Sequence, residues 1–395
     1  MNNISELSAV LLAGESSGDL YGGLLAKSIL KLSPKARLSG VGGEAMQKAG
    51  VSLDYSISEL SIMGISEVLL HIPKLILLRK RLVDHIFDSG AACLILIDFP
   101  DFNLSVAKKI FRRKKRLGLT SPRIYYFVPP QVWLWRKSRI SNIKQLCDGV
   151  FPLFSFEHDL YTHNGIKSFY AGHPITDIVF RDQYGQNSSE NQESNITAGL
   201  FPGSRLQEIT KILPIMLNAT LEFDKTWNIH RKNISVLISR CEWISEDIYS
   251  DIIRRTDMPA RFSLSLIPHS YEIMERSDVI LAKSGSVNLE IAIFRKPFIV
   301  IYKTSWLTWL IAKFLLRIRY ISLINILSDK EIVKEFIQYQ AKPSPIAVEM
   351  HRIMTDSKYR ANMIIQLTEF SNVHTRRRHD LVTDEIAQFI LNDIK

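Results

Sequence analysis

The 395-residue chain has a formal net charge of +10 and is 46% hydrophobic, enough apolar content for more than one core, so two domains are expected. Its three cysteines, Cys93, Cys147 and Cys241, form no close pair and no metal-ligand spacing, which excludes a disulfide scaffold and fits a reducing compartment. Ser8–Ala13 is a short apolar run ending in a glycine loop, not a signal-peptide pattern. Trp306–Leu316, broken by Lys313, falls short of the ~20 apolar residues that span a bilayer, so a cytoplasmic, non-spanning protein is expected.

In chain order, strands are predicted at Ala9–Ala13, Arg37–Val41, Ala92–Asp98, Arg123–Val128, Gly149–Leu153 and Ser168–Ala171. Helical or loop segments separate them, the signature of a parallel sheet covered on both faces. Residues 183–195 are polar and aperiodic and read as a linker. The pattern restarts with Ile196–Phe201, Ile234–Ser239, Phe262–Ile267, Asp278–Ala282 and Pro297–Tyr302. The expected divisions are an N-terminal domain 1–182, a linker 183–195, a second domain 196–345, and helices at 346–395 that pack back across the domain boundary. The fold class is α/β: two Rossmann-like doubly wound domains facing across a cleft, with ligands at the strand C-terminal ends.

The first strand empties into Gly14-Glu15-Ser16-Ser17-Gly18-Asp19. This is not the Gly-x-Gly-x-x-Gly spacing of a dinucleotide site. Glu15, Ser16 and Ser17 suit sugar hydroxyls better. Ile65, Val68, Leu69, Ile72, Leu75 and Ile76 recur at helical spacing and are followed by Arg79, Lys80 and Arg81. Such a stripe is usually core, yet aliphatic surface beside cations is also how proteins lie on membranes. The run Lys108, Lys109, Arg112–Arg116 reads as a solvated helix face or as attraction to anionic headgroups. Nucleic acid is disfavoured, since no aromatic residues alternate with these cations.

A third strand runs into Asp98-Phe99-Pro100-Asp101-Phe102-Asn103. A carboxylate at a strand end is placed to take a proton from an attacking hydroxyl, and Asp101 is close enough in sequence to share or tune that task. The alternative is that Asp98 caps the turn. Asn103 is a candidate substrate contact. Next comes Tyr125-Tyr126-Phe127-Val128-Pro129-Pro130-Gln131-Val132-Trp133-Leu134-Trp135-Arg136, whose prolines stop the strand, leaving an aromatic cluster that is either a core plug or a sugar or acyl platform.

In the second half, Pro202-Gly203-Ser204-Arg205 follows a strand, and Ser204 with Gln207 reads as a capping box. Ser284-Gly285-Ser286 repeats the strand-loop-helix pattern, with Glu290 one turn on. Two helix N-termini, small residues and an arginine make a diphosphate cradle, and Glu290 is placed to accept from a ribose diol. No Asp-x-Asp pair and no His cluster offers metal ligands, so neither metal nor cofactor is expected.

Taken together, Gly14–Asp19, Gly40-Val41-Gly42-Gly43, Ser61-Ile62-Met63-Gly64, Asp98–Asn103, Val132–Arg136, Gly172-His173-Pro174, Pro202–Arg205, Ser284–Ser286 with Glu290, and Tyr320–Asn325 resemble the lipid-A-disaccharide synthase family over essentially the whole chain. The resemblance implies a GT-B type, inverting glycosyltransferase acting without metal at the cytoplasmic face of the inner membrane. It implies UDP-2,3-diacylglucosamine as donor and 2,3-diacylglucosamine 1-phosphate (lipid X) as acceptor. The products would be a β-1,6-linked disaccharide 1-phosphate and UDP. It further implies Asp98 as general base, Arg205, Glu290 and Asn325 in the UDP site, the Ile65–Ile76 stripe facing lipid, and a homodimer with exchanged C-terminal parts. Lys283 and Ser286 depart from the commoner small residue and Thr, and Pro129-Pro130-Gln131 from a Ser-Pro-Ser-like stretch. Rival readings are another UDP-sugar enzyme of this architecture, such as a UDP-GlcNAc 2-epimerase, and a non-catalytic membrane-associated nucleotide-binding protein.

Overall fold

The computed structural model describes residues 7–57, 68–133, 138–181, 195–227, 233–241, 244–268, 270–304, 319–374 and 381–394. The chain divides into two compact units, Met1–Ile178 with Arg376–Lys395, and Val179–Thr375. Residues 183–194 of the expected linker lie outside the described residues, and Asn195 already opens a strand.

The first unit alternates β1 (Ser8–Ala13), α1 (Ser16–Leu32), β2 (Arg37–Gly42), α2 (Glu44–Lys48), β3 (Ser52–Ser56), α3 (Val68–Asp88), β4 (Cys93–Ile97), α4 (Pro100–Leu117), β5 (Arg123–Phe127), α5 (Arg139–Leu146), β6 (Gly149–Phe151), α6 (Ser155–His163) and α7 (Ile175–Arg181). Its strands form a parallel six-stranded sheet in the order β3-β2-β1-β4-β5-β6. Every residue of β1 and β4 is buried, which is why both read as unbroken apolar runs. Edge strand β3, Ser-Leu-Asp-Tyr-Ser, has one covered flank and was not expected. The strand expected at Ser168–Ala171 contributes an isolated bridge, Val150 to Ser168, and its Phe169 ring packs against Phe151 and Phe389.

Helix α4 shows how pattern becomes packing. Pro100 opens it and Gly118 closes it in the left-handed region, with φ 67°. Asn103, Val106, Ala107 and Ile110 form its buried face; that spacing is one helical stripe. Lys108, Lys109, Arg112, Lys115 and Arg116 are exposed. Arg113 instead pairs with Asp84 at 2.7 Å and lies over the Phe87 ring, fastening α4 to α3. Of the α3 stripe, Ile65 and the side chains of Val68, Leu69, Ile72 and Leu75 lie outside the described residues; Ile76 is 51% exposed. Further along, Leu82, Val83 and Ile86 turn into the core.

The second unit contains β7 (Asn195–Phe201), α8 (Leu206–Trp227), β8 (Asn233–Ser239), α9 (Glu246–Thr256), β9 (Phe262–Ile267), α10 (Ser270–Arg276), β10 (Val279–Lys283), α11 (Val287–Ile293), β11 (Phe298–Tyr302), α12 (Leu323–Ser328), β12 (Glu335–Ile337), α13 (Pro343–Thr355) and α14 (Ser357–His374). Its parallel order is β12-β11-β10-β7-β8-β9, the same winding as the first sheet. Edge strand β12 has only three residues, too short to register as a strand in the sequence. In each sheet the winding reverses between two central strands, β1/β4 and β7/β10, and ligands of doubly wound sheets bind outside the carboxyl ends of such pairs.

Of the C-terminal helices, α13 and α14 belong to the second unit, whereas α15 (Val382–Asp393) belongs to the first. Buried Asp177 caps α15 through Val382 N at 2.8 Å and Thr383 N at 2.9 Å, and Ser28 donates to Thr383 at 2.9 Å. At its far end Asp393 accepts from the Tyr125 hydroxyl at 2.7 Å and pairs with Lys167. Among the described residues no helix is long and apolar enough to cross a membrane.

Candidate functional site

At the end of β4, Asp98 and Phe99 lie in succession in the left-handed region, with φ 47° and 46°. Neither is glycine, and such residues cost roughly 1–3 kcal/mol each unless the surroundings enforce them. The enforcement is visible. The Asp98 amide donates to Phe127 O at 3.2 Å, and its carbonyl accepts from Asn103 Nδ2 at 2.7 Å and from the Tyr126 hydroxyl at 2.9 Å. The Phe99 ring lies where a Cβ on Gly14 would stand, so the first glycine of the β1 loop is required by the β4 turn. Burial first, and the nearby Glu15 carboxylate second, push the Asp98 carboxyl up to about 6.

Around this turn the expected residues divide. Glu15 is exposed at the N-cap of α1 and Ser17 is half-buried, while the Ser16 side chain lies outside the described ones. Asn103, expected to contact substrate, is 1% exposed, and its amide also bridges Leu12 O at 3.3 Å and Ile97 O at 3.2 Å. These bonds make it part of the turn's framework. Asp101 is exposed and ion-paired with buried Arg139. Asp19, the last residue of the loop motif, accepts from Gly43 N at 2.6 Å, Ala45 N at 3.0 Å and Met46 N at 3.1 Å. It therefore fastens the Gly40–Gly43 segment to α1 and caps α2.

The aromatic turn after β5 begins at Val128, with φ 56°. The Tyr161 hydroxyl donates to Pro130 O at 2.9 Å, and Trp133 Nε1 donates to Glu157 Oε1 at 2.9 Å. Glu157 also accepts from Leu153 N at 3.2 Å and Phe154 N at 3.3 Å, and burial raises it to about 7. The sequence reading missed Glu157; its position in the first turn of a helix was the one available signal. Leu134, Trp135 and Arg136 lie outside the described residues.

In the second unit β7 delivers Pro202-Gly203-Ser204-Arg205. Gly203 has φ 116°, and a Cβ there would collide with the Glu208 carboxylate. Glu208 accepts from Ser204 N at 3.2 Å and pairs with Lys283 at 2.9 Å. The capping carboxylate is therefore Glu208, not the expected Gln207: α8 starts at Leu206, which brings the next residue's side chain back over the loop. Arg205 is exposed beside this pair.

From β10, Ser284 Oγ donates to Ile321 O at 3.0 Å, and Gly285 N donates to Asn288 Oδ1 at 2.6 Å. Ser286 is exposed at the start of α11. Glu290 is raised to about 7 by burial, opposed by the nearby Tyr271 hydroxyl. Asn325 is fully buried: it donates to Val333 O and Glu335 Oε1, both at 2.8 Å, and accepts from Ile332 N at 2.8 Å and Val333 N at 3.1 Å. With both amide groups engaged, Asn325 ties this loop together. Glu335 accepts from Ile321 N at 2.8 Å and Ser322 N at 3.0 Å, and Ile321 O receives Ser284. Among the described residues no group of three or more His, Cys, Asp or Glu side chains is arranged to hold a metal.

One unit thus ends β1 and β4 in the carboxylates Glu15 and Asp98, and the other ends β7 and β10 in Arg205, Lys283 and small residues. The Lipid-A-disaccharide synthetase family profile matches residues 9–388. The lipid-A-disaccharide synthase of Syntrophus aciditrophicus is 33% identical over 355 residues, covering 87% of this chain and 88% of that protein. That of Coxiella burnetii is 32% identical over 372 residues, with 92% and 93% covered. Among solved structures, the UDP-GlcNAc 2-epimerase of Neisseria meningitidis bound to UDP-GlcNAc is similar with a TM-score of 0.58 at 12% identity, covering 98% of this chain and all of that one. That likeness speaks to the fold. The sequence kinship goes further, and the chain belongs to the lipid-A-disaccharide synthase family of glycosyltransferases.

Proposed function

We propose that the protein is an inverting glycosyltransferase that joins UDP-2,3-diacylglucosamine to 2,3-diacylglucosamine 1-phosphate. The observation that carries the mechanism is the clamped Asp98 turn: a carboxyl raised to about 6 is largely ionised at neutral pH yet a stronger base than an ordinary aspartate. In this reading Asp98 takes the proton from the acceptor's primary hydroxyl as its oxygen attacks the anomeric carbon. The bond from that carbon to the UDP oxygen breaks on the opposite face, giving a β-linkage and UDP. Arg205 meets the charge developing on the leaving diphosphate, with Lys283 released from Glu208 to assist. Glu290 accepts from the ribose.

Family membership over most of the chain favours this reading over an epimerase, which shares the fold alone. Incubation with both lipid precursors, followed by mass spectrometry, tests it. A disaccharide 1-phosphate with stoichiometric UDP is expected. UDP binding without turnover would point to a non-catalytic binder, and release of a 2-epimer to an epimerase. The exposed cations of α4 and the exposed Ile76 support docking on the cytoplasmic face of the inner membrane, which co-sedimentation with anionic liposomes tests. A homodimer with exchanged C-terminal parts is part of the same proposal, and light scattering in solution measures it.

A further inference from the structure

We infer that Tyr126, acting with Asn103 through the Asp98 carbonyl, is a positioning residue for the Asp98 carboxylate. This rests on the reading of Asp98 as the base. Tyr126 lies on β5 beside Leu96 of β4, in the aromatic stretch read from the sequence as a core plug or a substrate platform, and its ring is fully buried. Its hydroxyl ends on Asp98 O at 2.9 Å. Burial, and then the Asp98 charge, hold that hydroxyl well above the ordinary tyrosine value, so it remains a donor throughout the working range.

The geometry explains why a contact to a backbone atom governs a side chain. Asp98 O carries two donors, Tyr126 and Asn103 at 2.7 Å, which fills both lone pairs of the carbonyl. Asp98 N is tied to Phe127 O at 3.2 Å. With its backbone fixed on both sides and φ held at 47°, the clamp sets where the Asp98 side chain starts and which way its Cα–Cβ bond points, and the Phe99 amide, which donates to the carboxylate, completes its orientation. The surrounding charges do not supply that direction. Glu15 faces Asp98 from the loop before α1 and repels it, and on α4 Asp101 is engaged by Arg139. A merely structural hydroxyl would have been satisfied by any carbonyl. This one closes on the residue whose left-handed conformation needs enforcing.

The test compares wild type, Tyr126→Phe and Asp98→Asn for kcat, KM, UDP affinity and the pH dependence of kcat/KM. Tyr126→Phe keeps the ring and removes the donor. Its kcat is expected to fall at least ~10-fold, as for a reacting group displaced by a fraction of an ångström, with KM and UDP affinity near wild type. Its acid limb is expected to move below that of wild type as the carboxylate turns toward solvent. An unchanged kcat and an unchanged acid limb overturn the proposal, and so does a parallel loss of UDP affinity and kcat, which marks general destabilisation. Asn103→Ser, which keeps one donor, gives a second measurement and should show the same split. If Asp98→Asn itself remains active, the base assignment fails instead, so the two failures are distinct.

Discussion

The two sheets wind identically and place opposite chemistry at the same topological position. Where β1 and β4 end, the chain presents Glu15 and Asp98; where β7 and β10 end, it presents Arg205 and Lys283. The first pair is mutually repulsive, and burial with that repulsion lifts Asp98 to about 6. The second is tempered by Glu208, which holds Lys283 at 2.9 Å and occupies the Ser204 amide. Winding alone therefore specifies where ligands go and not which ones. The loop residues, and what the neighbouring helices return to them, decide whether a crossover point is a base or an anion site.

The sharpest way to break this contrast is Asp98→Asn. Turnover should fall roughly 100-fold or more, the range for a lost general base, while UDP affinity measured by calorimetry stays unchanged. Stability should move the other way. A carboxyl whose folded value lies near 6 instead of 3.8 favours the fold most below the lower value and loses that contribution as pH rises through the upper one. The neutral amide escapes this cost, so Asp98→Asn should be more stable than wild type at neutral pH by up to about 3 kcal/mol, read as a higher melting temperature. The difference should vanish near pH 4. In the active wild type, kcat/KM should show an acid limb near 6. A variant with wild-type turnover would transfer the base to another group, Asp101 first.

Arg205→Ala tests the opposite pole. Loss of a charge-assisted contact to diphosphate should weaken UDP binding by about 1.5–3 kcal/mol, read by calorimetry, and should slow the reaction. Unchanged affinity would place the diphosphate elsewhere.

Lys283→Ala is expected to do less. Its charge is already met by Glu208 and is partly exposed to solvent, so the loss in UDP affinity should be no more than about 1 kcal/mol. A loss as large as that of Arg205→Ala would mean that Glu208 gives Lys283 up entirely on binding. Chelation should have the smallest effect of all. With Arg205 and backbone amides meeting the diphosphate charge, EDTA should leave the rate unchanged. Inactivation reversed by magnesium would require a metal role in this unit.

Much of this was legible in the chain. Buried central strands such as β4, Cys-Leu-Ile-Leu-Ile, announce themselves because both faces are covered. Edge strands β3 and β12 did not, since one is polar and half-buried and the other has three residues. The loop motifs lie at strand ends as expected, whereas the hydrogen-bond partners of their polar residues were not legible. Asn103 and Asn325 carry side chains as suited to sugars as to carbonyls, and only burial separates the two uses. The capping partner of Ser204 was mistaken by one residue because the helix begins at Leu206.

The sequence by itself determined the alternation of strand and helix, the two units, and the placing of Asp98, Arg205 and Ser284 at strand ends. Those are local consequences of apolar periodicity and turn chemistry, which act over a few residues. Tertiary structure decided what those groups are chemically. The raised Asp98 carboxyl depends first on burial and then on Glu15, more than 80 residues before it in the chain, its conformation depends on Tyr126, and the charge of Lys283 is met by Glu208. Desolvation and hydrogen-bond partnership are set by whatever the fold brings alongside, and no pattern in the neighbouring residues records it.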